Sequence, residues 1–415
     1  MVLAAYRPLL LIPGALAFLG GAALARVGGA MFGVSIIVMV SSRRGSFGLA
    51  GAISAVAILV LAAAGPILGR LVDKRGQRRV VLPFAAWSTV CGLATVVLSW
   101  LDAPAWTLFV SYALSAILPE MGPLSRARWA HVFAGDADTL HTAMSLEQVM
   151  DEASFVVGPV LGVMLSTLWF PEAGLLVAFL LYFSGMVAFV SARATEPPVV
   201  PHEDRPAGYA VRRPGMLVVA AVLAMVGVIF GGNEVVAVAV AKAAGNEGFS
   251  SVILSLFALG STISGVAFGA RVFRSTLTRR FLLAAIGMFV LEAPALVVTD
   301  LWGIAIVMFV AGSATAPMLI TAMSLSQRLV PTALVTEGMS VAITGILIGI
   351  STGAAVGGWA IERWGPHEAY AVPVTAGAVA VALALGAYRR LATAEAEGGP
   401  QLAPMPAIPI MDQEV

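Results

Sequence analysis

Glu147, Asp151 and Glu152 fall close together inside a long apolar stretch, Ser145-Leu146-Glu147-Gln148-Val149-Met150-Asp151-Glu152-Ala153-Ser154. On a helix, Glu147 and Asp151 share a face, while Glu152 points about 100° away. A carboxylate placed in hydrocarbon costs several kcal/mol, so such groups face a bundle interior or a wet path. Two carboxyls so close in a low dielectric cannot both ionise cheaply, which suits one of them to hold a proton. A plainer alternative exists for Glu147, which would simply begin the helix in the headgroup zone, where negative charge suits a helix N-terminus. Arg26 sits near the middle of another apolar run, Pro13 to Val40. A lone guanidinium there must be paired or wet, either in a static ion pair or in a pair that opens when a proton arrives.

Further polar groups stand in apolar surroundings. Asn233-Glu234 follows Gly231-Gly232, a pair expected to interrupt its helix, and Glu234 would bind a cation or a proton or sit at a channel mouth. Glu120 lies in Leu118-Pro119-Glu120-Met121-Gly122, and Glu292 falls in a later run, where a structural role is expected. Met31, Phe32 and Phe155 suit an adaptable apolar cavity, or equally plain helix packing. His131, His141, His202 and His367 all fall in expected loops, none spaced for a metal with a second His or a Cys. No phosphate-binding glycine loop followed by Lys-Ser/Thr occurs, and no credible catalytic triad. The expectation is no enzyme, no metal, no cofactor and no nucleic-acid partner.

The elements that must position these groups are membrane spans. Of 415 residues, 59% are hydrophobic and 11% charged, and the mean hydropathy is +0.94. A soluble domain carries about 25% charged residues. The single cysteine, Cys91, excludes a disulfide framework. About 20 apolar residues span a bilayer. The apolar runs give twelve spans: 13–40, 47–68, 80–100, 104–124, 142–168 and 174–192, then 216–241, 249–270, 280–299, 302–323, 337–360 and 367–388. The N-terminus reads as a retained first span rather than a cleaved signal. A proline-rich, charged linker, 193–215, separates two units, 1–192 and 216–390, and a Pro-rich tail, 391–415, is expected to be disordered. Of the Lys/Arg residues, only Arg43, Arg44, Lys242 and Arg363 fall in one set of loops and Arg26 inside a span; the rest lie in the other set. That bias places both termini and the linker in the cytoplasm.

An internal repeat is visible. Gly65, Gly69, Val72 and Arg79 recur as Gly265, Gly269, Val272 and Arg279, and Met144, Ser145, Gly158 and Gly162 as Met339, Ser340, Gly353 and Gly357. Two parallel repeats about an axis along the membrane normal put a substrate site between the halves near mid-bilayer.

The basic loop Gly69-Arg70-Leu71-Val72-Asp73-Lys74-Arg75-Gly76-Gln77-Arg78-Arg79 resembles the loop between helices 2 and 3 of the major facilitator superfamily of transporters. The resemblance implies that Gly69, Asp73, Gly76 and Arg78 latch the halves together in the outward-facing state, whereas the plain reading of the basic residues is topology alone. Phe273 stands in the second half where Asp73 stands in the first, so the latch is asymmetric. Gly158-Pro159-x-x-Gly162 resembles a fifth-helix motif of the superfamily's drug:proton antiporters, although Val163 replaces a glycine and Ser154 another. Those antiporters often carry an arginine in helix 4; none occurs here between Pro104 and Ser125. Helices 1, 5 and 7 line the cavity in the family, which makes Asp151 and Glu147 the natural partners of Arg26.

The sequence thus predicts an all-α membrane protein of two six-helix bundles, a monomer of the plasma membrane. The expected function is export of a small amphipathic molecule by alternating access coupled to proton antiport. Asp151, Glu147 and Arg26 would handle the proton, and Arg26, Met31, Phe32, Glu120, Phe155, Asn233 and Glu234 the substrate. Gly69, Asp73, Gly76, Arg78, Gly158, Pro159 and Gly162 would gate. The alternative is uptake or facilitative passage of an anionic metabolite held by Arg26.

Overall fold

The structure is a computed structural model that describes residues 6–199, 208–246, 249–271 and 273–397. The first half comprises α1 (Ala15–Arg44), α2 (Phe47–Arg75), α3 (Gln77–Trp100), α4 in two pieces (Ala105–Ser115 and Met121–Val132), α5 (Ala137–Leu168) and α6 (Ala173–Ser191). The second comprises α7 (Met216–Ala243), α8 (Phe249–Gly269), α9 (Leu277–Glu292), α10 in two pieces (Leu301–Gly312 and Thr315–Leu329), α11 (Val335–Trp364) and α12 (Ala371–Gly386). An amphipathic helix, α13 (Tyr388–Glu397), follows. Among the described residues, ten of these helices are long and apolar enough to cross a membrane. The broken α4 and the 16-residue α9 fall short by length, but α9 is prolonged by a 3₁₀ turn, Ala293–Leu296.

Helix ends follow local chemistry. Ser46 caps α2 by accepting from Leu49 N (3.1 Å), Asp136 caps α5 through Thr139 N (3.0 Å), and Asp300 caps α10 through Gly303 N (2.7 Å). Gly76, at φ +87°, lets α2 turn directly into α3, a conformation that a side chain disfavours.

The repeat expected from the sequence appears as equivalent packing. In the first half α1 lies along α5 and α6; in the second α7 lies along α11 and α12. The halves meet where α2 packs on α11 and α5 on α8. Ser145 stands against Gly269, and Ser340 against Gly69. These glycines let the helices approach closely across the junction.

Four expectations are corrected. The fourth span does not end at residue 124. Its backbone breaks at 116–120, around Pro119, and resumes as a helix to Val132, so Arg126 and Arg128 are buried members of the bundle rather than loop residues. The break is satisfied from neighbouring helices: Trp87 Nε1 donates to Leu114 O (3.2 Å), Ser88 to Ser115 O (2.6 Å) and Tyr182 to Pro119 O (2.9 Å). His131 and His141 lie on helices, not in loops, and His202 lies outside the described residues. Gly231-Gly232 does not interrupt α7, which runs unbroken because its own backbone ladder survives between packed neighbours. The tail is helical through Glu397, since Leu391 is buried and Glu395 accepts from Leu277 N (2.7 Å) and Thr278 N (2.8 Å) at the start of α9. Residues 398–415, and Val272 of the repeat, lie outside the described residues.

Candidate functional site

Asp73, Gly76 and the described linker residues, such as Glu196 and Tyr209, lie at one end of the molecule, here termed the inner end. Near mid-span in the first half, α1, α4 and α5 bring four charged side chains together. Arg26 Nε donates to Asp151 Oδ1 (2.6 Å), and Arg26 Nη2 donates to Glu147 Oε2. Arg126 Nη2 donates to the other oxygen of Asp151, Oδ2, at 2.6 Å. Ser125 (2.5 Å) and Trp129 Nε1 (2.6 Å) both donate to Glu147 Oε1. Two arginines balance two carboxylates, which makes the burial of all four tolerable. Asp151 is the member nearest to solvent, with 22% of its side chain exposed against none for Glu147.

The expected pairing of Arg26 with Asp151 and Glu147 is therefore present. The arginine of α4 was missed. Arg126 performs, from the continued fourth helix, the pairing that the sequence assigned to Arg26 alone. The available signal was the run Met121-x-x-Leu124-x-x-x-x-Trp129, which resumes an apolar face after Pro119. Three guanidinium nitrogens of the two arginines, Arg26 Nη1 and Arg126 Nε and Nη1, are buried without a hydrogen-bond partner among the described residues.

Glycines set the distance between α1 and α5. A Cβ on Gly158 would lie 2.7 Å from Ala30 Cβ, and one on Gly162 2.7 Å from Ser35 Oγ. Gly158, Pro159 and Gly162 thus seat the carboxylate helix on the arginine helix, within one half. Glu120 occupies the break in α4, its carboxylate beside Gly65 of α2, and it has electrostatic contact with Asp151 and Tyr182. Met31 is fully buried, and Phe32 packs on Phe179 (ring centroids 4.4 Å) and Tyr182. Phe155, one turn outward from Asp151, is exposed. Asn233 is buried facing Glu292 of α9, while Glu234 points away from it and is exposed.

The inner end is closed by two contacts. Asp73 accepts from the backbone N–H groups of Thr336 (3.2 Å) and Glu337 (2.9 Å), which begin α11. A carboxylate at a helix N-terminus meets unpaired donors and a favourable dipole. Arg70 lies 3.6 Å from Glu337, donates to Gly208 O (2.9 Å) and stacks on Tyr209. Arg78 contributes its backbone N–H, which donates to Glu196 Oε1 of the linker (2.9 Å). Across the molecule, α5 and α8 form a ladder. Thr142 donates to Gly269 O (3.0 Å), Ser145 to Gly265 O (2.5 Å), and Ser261 to Glu152 Oε1 (2.8 Å). Beneath these contacts lies a cavity of about 660 Å³, lined by both halves, with Asp73, His141, Arg280, Arg328 and Glu395 on its wall.

A family model described as the Major Facilitator Superfamily matches residues 18–291. No curated protein matches the chain in sequence. Among solved structures, the human organic anion transporter MFSD10 (TETRAN) superposes with TM-score 0.70 at 15% identity, covering 89% of this chain and 98% of that one. A bacterial homologue of the iron transporter ferroportin in an outward-facing state gives 0.68 at 17% identity, covering 92% and 100%. The proton:xylose symporter XylE gives 0.65 at 14% identity, covering 90% and 96%. With the twelve spans in two equivalent halves, the contacts between them, and a family match over most of its length, the chain belongs to the major facilitator superfamily and is a membrane transporter that works by alternating access.

Proposed function

We propose that the protein is a proton-coupled exporter of a small amphipathic molecule. It would sit as a monomer in the plasma membrane, with both termini and the inner end cytoplasmic. The observation that carries this reading is Asp151, a partly accessible carboxylate held between two arginines, Arg26 and Arg126, on two different helices. A proton arriving at Asp151 from outside removes the charge that both guanidinium groups face. Both pairs then loosen at once, and α1, α4 and α5 can change their relative positions. Substrate arriving from the inner side in the alternate state would favour release of the proton. The basic loops Arg70–Arg79 and Arg271–Arg280, both at the inner end, support the cytoplasmic assignment of that end.

The test is transport in reconstituted vesicles. A pH gradient, acidic outside, should drive substrate movement in the parent, and Asp151→Asn should abolish the gradient dependence, by more than about tenfold in rate, or about 1.4 kcal/mol. Transport that ignores the gradient, with Asp151→Asn as active as the parent, ends the reading.

A second reading is supported by one observation. The buried, unpartnered nitrogens of Arg26 and Arg126 are donors suited to a carboxylate or phosphate. The cargo would then be an anionic metabolite, the class named for the human organic anion transporter of the same fold. Counterflow with labelled anions and Arg26→Lys separates the two. Lysine keeps the charge but not the planar fork, so lost anion counterflow with intact proton coupling favours this second reading.

A further inference from the structure

Glu152 stands next to Asp151 in the chain but faces the other half of the molecule. Its Oε1 accepts from Ser261 of α8 at 2.8 Å and from Gln148 one turn below at 3.1 Å. Gln148 and Ser261 are buried. Of the rungs of the α5–α8 ladder, this one lies deepest in the membrane and it alone contains a carboxylate; the other ionisable group, His141, whose Nε2 lies 3.0 Å from Phe268 O, stands at the inner end. The charges around it are unevenly placed. Within its own half, Arg26, Arg126, Glu147 and Asp151 form the balanced quartet, and Glu120 lies beyond Asp151. From the other half, α8 carries no charged residue, and α10 carries none before Arg328 at its inner end. Glu152 forms no ion pair with the described residues. It is thus a carboxylate across the junction with hydroxyl and amide donors but no cation.

We propose that Glu152 is the residue through which proton occupancy of the central quartet reaches the inner gate. This rests on the proton-coupled reading of the protein. When Glu152 is ionised, its bonds from Ser261 and Gln148 are charge-assisted, roughly twice as strong as neutral ones, and the rung holds α5 to α8. A proton from the outer solution, bound to the carboxylate oxygen, turns it into an ordinary neutral contact. The rung weakens and the inner gate can part. The proton leaves from the same oxygen to the inner solution once the gate has opened. Because Asp151 and Glu152 are consecutive, a proton on one favours the charged form of the other, so one proton serves both in turn: it neutralises Asp151 first and, on passing to Glu152, restores the quartet as the rung weakens.

The experiment measures gate opening directly. Spin labels at Ala137→Cys (α5 start) and Arg274→Cys (after α8), in a Cys91→Ser background, report the distance between the halves at the inner end. The full-length protein is reconstituted in lipid. Lowering the pH should populate a longer distance in the parent. In Glu152→Gln, which keeps a neutral hydrogen-bonding group of the same size, the distribution should no longer move with pH. It should show the longer distance at neutral pH more often than the parent, by about twofold or more. Ser261→Ala should also favour the longer distance, but should leave a residual pH response. If Glu152→Gln keeps the parental pH response while Asp151→Asn loses it, the assignment of Glu152 is wrong and the proton-coupled reading stands. If the parent itself shows no pH response, and its transport ignores the gradient, both fall together.

Discussion

Between α2 and α11 the inner end is held by a carboxylate on a helix N-terminus, whereas between α5 and α8 it is held by hydroxyls on backbone carbonyls and an aromatic cluster. The two junctions descend from one repeat. Each keeps a serine packed on a glycine, Ser340 on Gly69 and Ser145 on Gly269. The charge sits on one side only. Where the first junction has Asp73, the second has Phe273, packed against Phe268 (ring centroids 4.5 Å) and His141 (5.5 Å). Steric closeness is thus the shared requirement, while electrostatic closure is particular to α2–α11. The second junction carries its hydrogen-bonding carboxylate, Glu152, higher up, beside the quartet. One junction closes; the other, in the proposed mechanism, closes and also answers to Asp151.

That division can be broken by substitution, and the effects should fall in a definite order. Asp73→Ala leaves the N-terminal donors of α11 unpaired and removes two charge-assisted bonds, each worth roughly 1.5–3 kcal/mol. Transport should fall by more than tenfold, and cysteine probes at the inner cavity should become accessible from the inner side. Next comes Gly269→Leu, which drives a side chain into Ser145. Overpacking of this kind costs about 1–3 kcal/mol, and it should open the α5–α8 side while Asp73 still holds α11. Cross-linking across α2–α11 should therefore persist in that variant. Ser145→Ala removes a neutral hydrogen bond worth about 1 kcal/mol and should shift the gate about fivefold. Arg70→Gln should matter least, below about 1 kcal/mol, because the Arg70–Glu337 pair is long and its arginine is partly open to water. If Arg70→Gln proves more damaging than Asp73→Ala, the basic side chains and not the carboxylate close that junction.

Much of the architecture was legible in the sequence because membrane spans announce themselves through length and apolarity, and the loops through Lys/Arg bias. The meeting of Arg26 with Asp151 and Glu147 was legible through the expense of placing charge in hydrocarbon. What escaped was local. Pro119 reads as the end of a span, yet Tyr182, Ser88 and Trp87 satisfy the carbonyls it frees, so the chain breaks and continues. Arg126 therefore looks extramembranous in the sequence, where a proline closing an apolar run marks the end of a span. Gly231-Gly232 misled in the opposite direction, since glycine permits a break without requiring one. The partner of Glu152 lies in the other half, and the spacing of residues within α5 carries no information about α8.

The inner piece of α4 is only twelve residues long, and it is tethered at two places. Arg126 grips Asp151, while Arg128, fully buried, donates to Gln77 Oε1 (2.7 Å) at the start of α3, to Ala192 O (2.7 Å) and to Thr195 (2.9 Å) at the mouth of the linker. The piece is a short lever with the Arg126–Asp151 pair at one arm and the start of the connecting segment at the other. Its outer neighbour, Ala105–Ser115, is severed from it by five non-helical residues and need not follow its motion. A tilt begun at Asp151 would be delivered to the start of the connecting segment, with no requirement that the whole bundle turn as a rigid block.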